Sequence, residues 1–133
     1  MLDNVNSYIQ KGGKVFAECG GLMYLGKSII DRKGRSFSMA NVFDFTTSIE
    51  HVKMYLGYRE VVMDDLRLKG HEFHYSTFSE QHETPFKAFV LNARGVKVTT
   101  NIFVKNKAMA SYIHHYFGEE DGLVHLINKL EKL

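Results

Sequence analysis

The chain has 133 residues, enough for one domain with a single buried core; 44% are apolar, 24% charged, and the formal net charge is +2. Its Lys and Arg residues are scattered, which argues against a nucleic-acid surface, and no apolar run suggests a membrane span or a signal peptide. The single cysteine excludes an internal disulfide and, with no export signal, points to a reduced, cytoplasmic setting.

Leu2, Val5, Tyr8 and Ile9 fall on one face of a helix predicted over 2–11, and Gly12-Gly13 stops it. Residues 14–18 read as a buried parallel strand, and 20–29 as a helix with Leu22, Leu25 and Ile29 inward. Between them stands Cys19, inside Phe16-Ala17-Glu18-Cys19-Gly20-Gly21-Leu22-Met23-Tyr24-Leu25. A nucleophile is mounted this way on a sharp strand-to-helix turn, whose strained backbone lifts the side chain clear of the sheet. Gly20 and Gly21 remove obstructing side chains and let the helix begin close to the strand. The N–H groups of the helix start are expected to lower the thiol pKa. A lone cysteine is more often a small buried hydrophobe. The paired glycines and the change of period at the thiol favour the nucleophile.

Residues 31–34 form a turn. Strand-like composition then marks 35–43, 57–64, 67–78, 86–92, 96–104 and 107–113, while 44–56 is left unassigned. A helix closes the chain. Glu119, Glu120 and Asp121 put acid near its N-terminus, Leu123, Leu126, Ile127 and Leu130 form an apolar stripe, and Lys129 and Lys132 follow. The pattern is that of an α/β protein with a strand-rich middle and a helix at each end.

A thiol nucleophile needs a base. The histidines gather in Gly70-His71-Glu72-Phe73-His74-Tyr75-Ser76 and in Ala110-Ser111-Tyr112-Ile113-His114-His115-Tyr116-Phe117-Gly118. The second group ends an apolar strand, the edge where open α/β sheets place their ligands. Strand alternation puts Tyr112, His114 and Tyr116 on one side, and Ser111, Ile113 and His115 on the other. A histidine there can take a proton from the thiol and hand it to a leaving amine. Metal ligation by His71 with His74, or His114 with His115, is the weaker use, since no Cys/His spacing matches a structural zinc site. The plain reading of His71 and His74 is hydrogen-bonded strand side chains. His51, His82 and His125 are given no role.

Three segments together resemble the glutaminase domain of the cobyrinic acid a,c-diamide synthase family: Phe16–Leu25, Gly70–Ser76 and Ala110–His114, with Leu56-Gly57-Tyr58-Arg59-Glu60 ahead of the second. The resemblance implies an incomplete flavodoxin-like class I glutamine amidotransferase domain with a Cys–His dyad. In it Cys19 is the nucleophile toward glutamine, His114 the base, and the Gly20 N–H half of an oxyanion hole. Glu18, Gly21, His71, Glu72 and His74 are candidate pocket or support residues. Phe16 stands where tyrosine is frequent, and Tyr116 where the motif has a second histidine, so His115 is expected to face away from Cys19 and to matter little.

The resemblance further implies that residues 1–133 are a partial glutaminase domain. The N-terminal synthetase domain, which would use ATP and magnesium to amidate the a- and c-carboxylates of a corrinoid, is absent, as is the start of the glutaminase domain. No cofactor or metal is expected in this chain. Glutamine hydrolysis by it alone is expected to be weak or absent. Relatives acting on other tetrapyrroles are not separated by these residues. An alternative is a non-catalytic interaction module, with exposed apolar sheet surface covered by a partner or a homo-oligomer.

Overall fold

The Gly12-Gly13 pair ends the first helix as its backbone requires. α1 (Leu2–Gln10) is followed by Gly12 at φ +87°, and the Gly13 N–H donates to the Tyr8 carbonyl. The computed structural model describes residues 1–118 and 121–132, so the acidic Glu119 and Glu120 lie outside the described residues. In chain order there follow β1 (Val15–Glu18), α2 (Gly20–Leu25), β2 (Ser28–Ile30), β3 (Ser36–Ser38) and β4 (Phe45–Ser48). Next come β5 (Tyr55–Met63), β6 (Leu66–His74), β7 (Thr77–Gln81), β8 (Phe89–Asn92) and β9 (Ile102–Lys105). The chain ends with β10 (Ala108–Ser111), β11 (Ile113–His115) and α3 (Gly122–Glu131).

The strands form three sheets, ordered β1-β10-β9, β11-β6-β5-β8 and β3-β2-β4-β7. β1 and β10 pair in parallel, so the C-terminal ends of both meet at Glu18 and Ser111. β10 divides the interior, with Ala108 and Ala110 on a first core and Met109 on a second. The first core holds Ile9, Leu22, Leu25, Phe43, Phe45, Phe103 and Tyr112. The second holds Val61, Leu68, Val90, Ile113, Leu126 and Leu130. At Tyr112 the chain leaves the first sheet and joins the second, which is why the predicted strand 107–113 is two strands. Tyr112 and Ile113 are both buried because each faces a different core.

Other departures from the sequence reading have local causes. The helix predicted over 20–29 stops at Leu25, because Gly26 is extended and packs against Phe45, where a Cβ would lie 2.7 Å from the ring. Ile29 therefore sits in β2, beside Phe37 and Thr47. The unassigned stretch holds β4, buried at all four positions, and such a strand shows no alternation to detect. Residues 39–43 are not strand; their N–H groups bond to the carbonyls of Tyr24, Leu25, Gly26 and Lys27 while Ala40, Val42 and Phe43 enter the core. The long run over 67–78 breaks into β6 and β7, and only its end at Ile102–Lys105 survives of the strand begun at 96. On α3 only Leu126 and Leu130 of the stripe are buried; Leu123 and Ile127 stay exposed.

The β11–β6 pairing positions His114, and one glycine permits it. At Gly70 a Cβ would lie 2.5 Å from the His114 carbonyl oxygen and 2.5 Å from Ile113 Cγ2. Main chain yields less readily than a side-chain end, so Gly70→Ala is expected to destabilise the fold by about 1–3 kcal/mol. A urea-unfolding midpoint unchanged by that substitution would show that β11 is free to move aside.

Candidate active site

Cys19 lies between β1 and α2 with φ 49° and ψ −107°. A non-glycine residue holds such a conformation only where its surroundings impose it. Here the Cys19 N–H donates to the Ser111 carbonyl at 2.8 Å, anchoring the turn to the end of β10. Gly21 allows close helix-to-strand packing, since a Cβ there would lie 3.3 Å from that of Ala17. Gly20 faces open space, so its contribution is its N–H, which is directed at the sulfur.

The thiol is half-buried, packs against the first core and donates to the Phe73 carbonyl at 3.8 Å. The expectation of a lowered thiol pKa is corrected. Burial pushes the Cys19 thiol up, the Gly20 N–H opposes this, and the Glu18 carboxylate adds to the rise. α2 has only six residues, too short for its dipole to outweigh burial. A neutral thiol of this kind requires a base to become a nucleophile.

His114 lies on β11 directly opposite His71 of β6, and its side is exposed. On β6, Phe73 is two residues beyond His71, so Cys19 and His114 approach the same stretch of one strand from different elements. His114 shares its face of the sheet with Leu56, Tyr58, His71 and Phe73, paired in register. His71 meets Tyr58 edge-on at 5.7 Å. His74 faces the opposite, buried side. His71 and His74 therefore cannot grip one ion from the same side of the strand, and the same holds for His114 and His115.

On the buried side Glu72 organises a polar network. Its Oε2 accepts from Arg59 Nε at 2.6 Å and from Thr100 Oγ1 at 2.8 Å, and its Oε1 lies 3.0 Å from His74 Nε2. His74 Nδ1 is 2.9 Å from the Ser76 carbonyl. Both ring nitrogens of His74 thus face acceptors. The ring is stacked between Tyr112, at 3.6 Å, and Tyr55, at 4.7 Å. Ser76 Oγ donates to the Tyr112 hydroxyl at 2.8 Å. Burial drives the Tyr112 hydroxyl's pKa far above the ordinary phenol range. A cavity of about 270 Å³ opens beside this network, lined by Tyr55, Glu72, His74, Ser76, Thr100 and Tyr112 among others. Thr100 and Tyr55 had no signal in the sequence beyond their residue type, and Arg59 stood in a segment of the resemblance without a role of its own.

His115 makes contacts that alternation alone did not suggest. Its side chain is fully buried, between Phe16 and Phe117, and both its backbone N–H and its Nδ1 approach Glu18 Oε1, at 2.6 and 3.0 Å. Alternation placed it on the side away from His114, as observed, but alternation cannot reveal that this side is enclosed.

Residues 1–122 match the CobB/CobQ-like glutamine amidotransferase domain. The chain belongs to that family. Among curated relatives, the cobyrinate a,c-diamide synthase of Caldanaerobacter subterraneus subsp. tengcongensis is 36% identical over 123 residues, 86% of this chain and 27% of the relative. The hydrogenobyrinate a,c-diamide synthase of Rhodobacter capsulatus is 38% identical over 108 residues, 75% of this chain and 25% of the relative. The cobyrinate a,c-diamide synthase of Priestia megaterium is 32% identical over 92% of this chain and 28% of its own length. The chain thus spans about a quarter of the length of these relatives. A solved glutamine amidotransferase structure superposes with a TM-score of 0.61 at 16% identity, covering 99% of this chain and 68% of its own, which establishes the shared α/β fold. In this CobB/CobQ-like domain, no described helix is long and apolar enough to cross a membrane.

Proposed function

We propose that this domain is the glutamine-splitting part of an a,c-diamide synthase, with Cys19 as nucleophile and His114 as base. The observation that carries the reading is Cys19 itself, strained at φ 49° at the end of β1 with the Gly20 N–H turned toward its sulfur. His114 takes the thiol proton as sulfur attacks the side-chain carboxamide carbon of glutamine. The oxyanion that forms is met by the Gly20 N–H, a kind of donor worth about 10²–10³ in turnover. Collapse breaks the C–N bond, the proton on His114 leaves with ammonia, and a glutamyl thioester remains. Water, deprotonated by His114, then attacks the thioester carbon, releasing glutamate and restoring the thiol.

The ammonia would serve amidation of the a- and c-carboxylates of cobyrinate or, as the Rhodobacter capsulatus relative suggests, hydrogenobyrinate. ATP and magnesium for that step would bind in the portion of the relatives that this chain does not span. The second reading, a non-catalytic interaction module, draws on Leu56, Tyr58 and Phe73 of β5 and β6 and on Tyr75 just after β6, all exposed. On that reading a partner or a second copy covers this face, and Cys19→Ala leaves its function intact.

Glutamate release from glutamine by the purified chain separates the two. The expected result is slow release that Cys19→Ala eliminates. Release that survives Cys19→Ala would remove the thiol from the reaction.

A further inference from the structure

We propose that Glu18 and His115 form a positioning clamp that fixes how the Cys19 thiol and the His114 ring meet, an inference that rests on the assignment of those two residues above. Each member of the clamp is the chain neighbour of one reacting group. They lie 97 residues apart in sequence, yet Glu18 Oε1 accepts from the His115 backbone N–H at 2.6 Å and faces Nδ1 at 3.0 Å. A carboxylate oxygen only accepts, so Nδ1 carries a proton and donates it.

The clamp is needed because no ladder does its work. β1 pairs with β10 and β11 pairs with β6; the chain passes between the two sheets at Tyr112 and again from β8 to β9, and neither passage is a ladder between β1 and β11. Residues 19 and 114 are thus carried by separate sheets, with no backbone ladder between β1 and β11 to fix their separation. The paired bonds from Glu18 span that gap beside the thiol. The ring of His115 is held rigidly as well, since its side chain is fully buried, with Phe16 edge-on at 5.2 Å and Phe117 at 6.2 Å. Its Nε2 is buried without a hydrogen-bond partner among the described residues, a cost that a merely space-filling phenylalanine would avoid. Burial acts to raise the Glu18 carboxyl's pKa, but its bonds with His115 prevail and hold it below its ordinary value, consistent with an ionised acceptor.

The test compares two rates of Cys19 modification, by a glutamine-derived chloroketone and by iodoacetamide, in Glu18→Ala, His115→Phe, Glu18→Gln and His114→Ala. Their ratio reports alignment of the thiol with the glutamine site, and dividing by the iodoacetamide rate removes simple changes in thiol ionisation. Glu18→Ala is expected to lower the ratio about tenfold to a hundredfold, the scale of a misplacement near 1 Å. His115→Phe, which fills the ring space but lacks Nδ1, should lower it less, because the backbone N–H bond remains. Glu18→Gln keeps an oxygen acceptor and should restore most of the ratio. An unchanged ratio in Glu18→Ala, with His114→Ala lowering the chloroketone rate, overturns the clamp alone. An unchanged chloroketone rate in His114→Ala overturns the dyad instead, and the clamp is then decided by hydrogen exchange of the His115 amide. Protection lost in Glu18→Ala supports it; an amide that exchanges freely in the unaltered chain refutes it.

Discussion

Glu72→Ala is expected to lower stability by about 3–5 kcal/mol, the scale seen when one partner of a buried ion pair is removed. Glu72 and the side chains of Arg59 and His74 are all nearly enclosed, with side-chain exposures of 4, 13 and 6%. Alanine would leave the guanidinium without its carboxylate and His74 Nε2 and Thr100 without an acceptor. The effect also has a pH signature. Burial alone would push the Glu72 carboxyl up, but hydrogen bonds from His74, Thr100 and Arg59 and the Arg59 charge hold it below its ordinary value. A depressed folded-state pKa contributes stability that is full above the unfolded carboxyl's pKa and is lost as pH falls through the folded value. Urea unfolding across the acid range should therefore show a declining limb that flattens in Glu72→Ala. An unfolding midpoint at neutral pH within experimental scatter of the unaltered chain would contradict the network's role.

His114→Ala is expected to slow modification of Cys19 by the glutamine-derived chloroketone by about 10²-fold, within the range of general-base contributions. The reasoning starts from the thiol. Burial and the Glu18 carboxylate keep it neutral, and the Gly20 N–H only partly offsets them, so thiolate must be generated at the moment of attack. His114 is the exposed imidazole that β11 brings to the strand whose Phe73 carbonyl receives the thiol. Raising the pH should recover part of the lost rate, because hydroxide then does what the imidazole did. Equal rates with and without His114 at neutral pH would assign the base elsewhere.

Much of the site was legible because it rests on local backbone chemistry. Glycines after a cysteine at a change of period encode a tight turn, and the positive φ of Cys19 is that turn. The opposition of His114 to Ile113 and His115 followed from a repeat of two, but Tyr112, at the break between β10 and β11, stacks on His74 rather than joining the face of His114. What could not be read were interactions between distant segments. Arg59 and Glu72 look like two ordinary charges 13 residues apart until antiparallel pairing of β5 and β6 brings them together inside the sheet. His115 looked dispensable because alternation tells which side a residue takes, never what else occupies that side. β4 escaped for a related reason: Phe45, Thr46, Thr47 and Ser48 are all buried, so hydroxyls sit where an alternating pattern would demand apolar side chains. The helix stop at Gly26 depends on the ring of Phe45, nineteen positions later, a contact invisible to propensity.

The central claim is that glutamine is bound where the sulfur of Cys19 can attack it, and mapping the chloroketone adduct by peptide mass spectrometry tests this most directly. The account predicts a single adduct on Cys19, with a rate that saturates as reagent increases and that added glutamine suppresses. Modification that is linear in reagent, indifferent to glutamine, or spread over His71 and His114 rather than the thiol would contradict it.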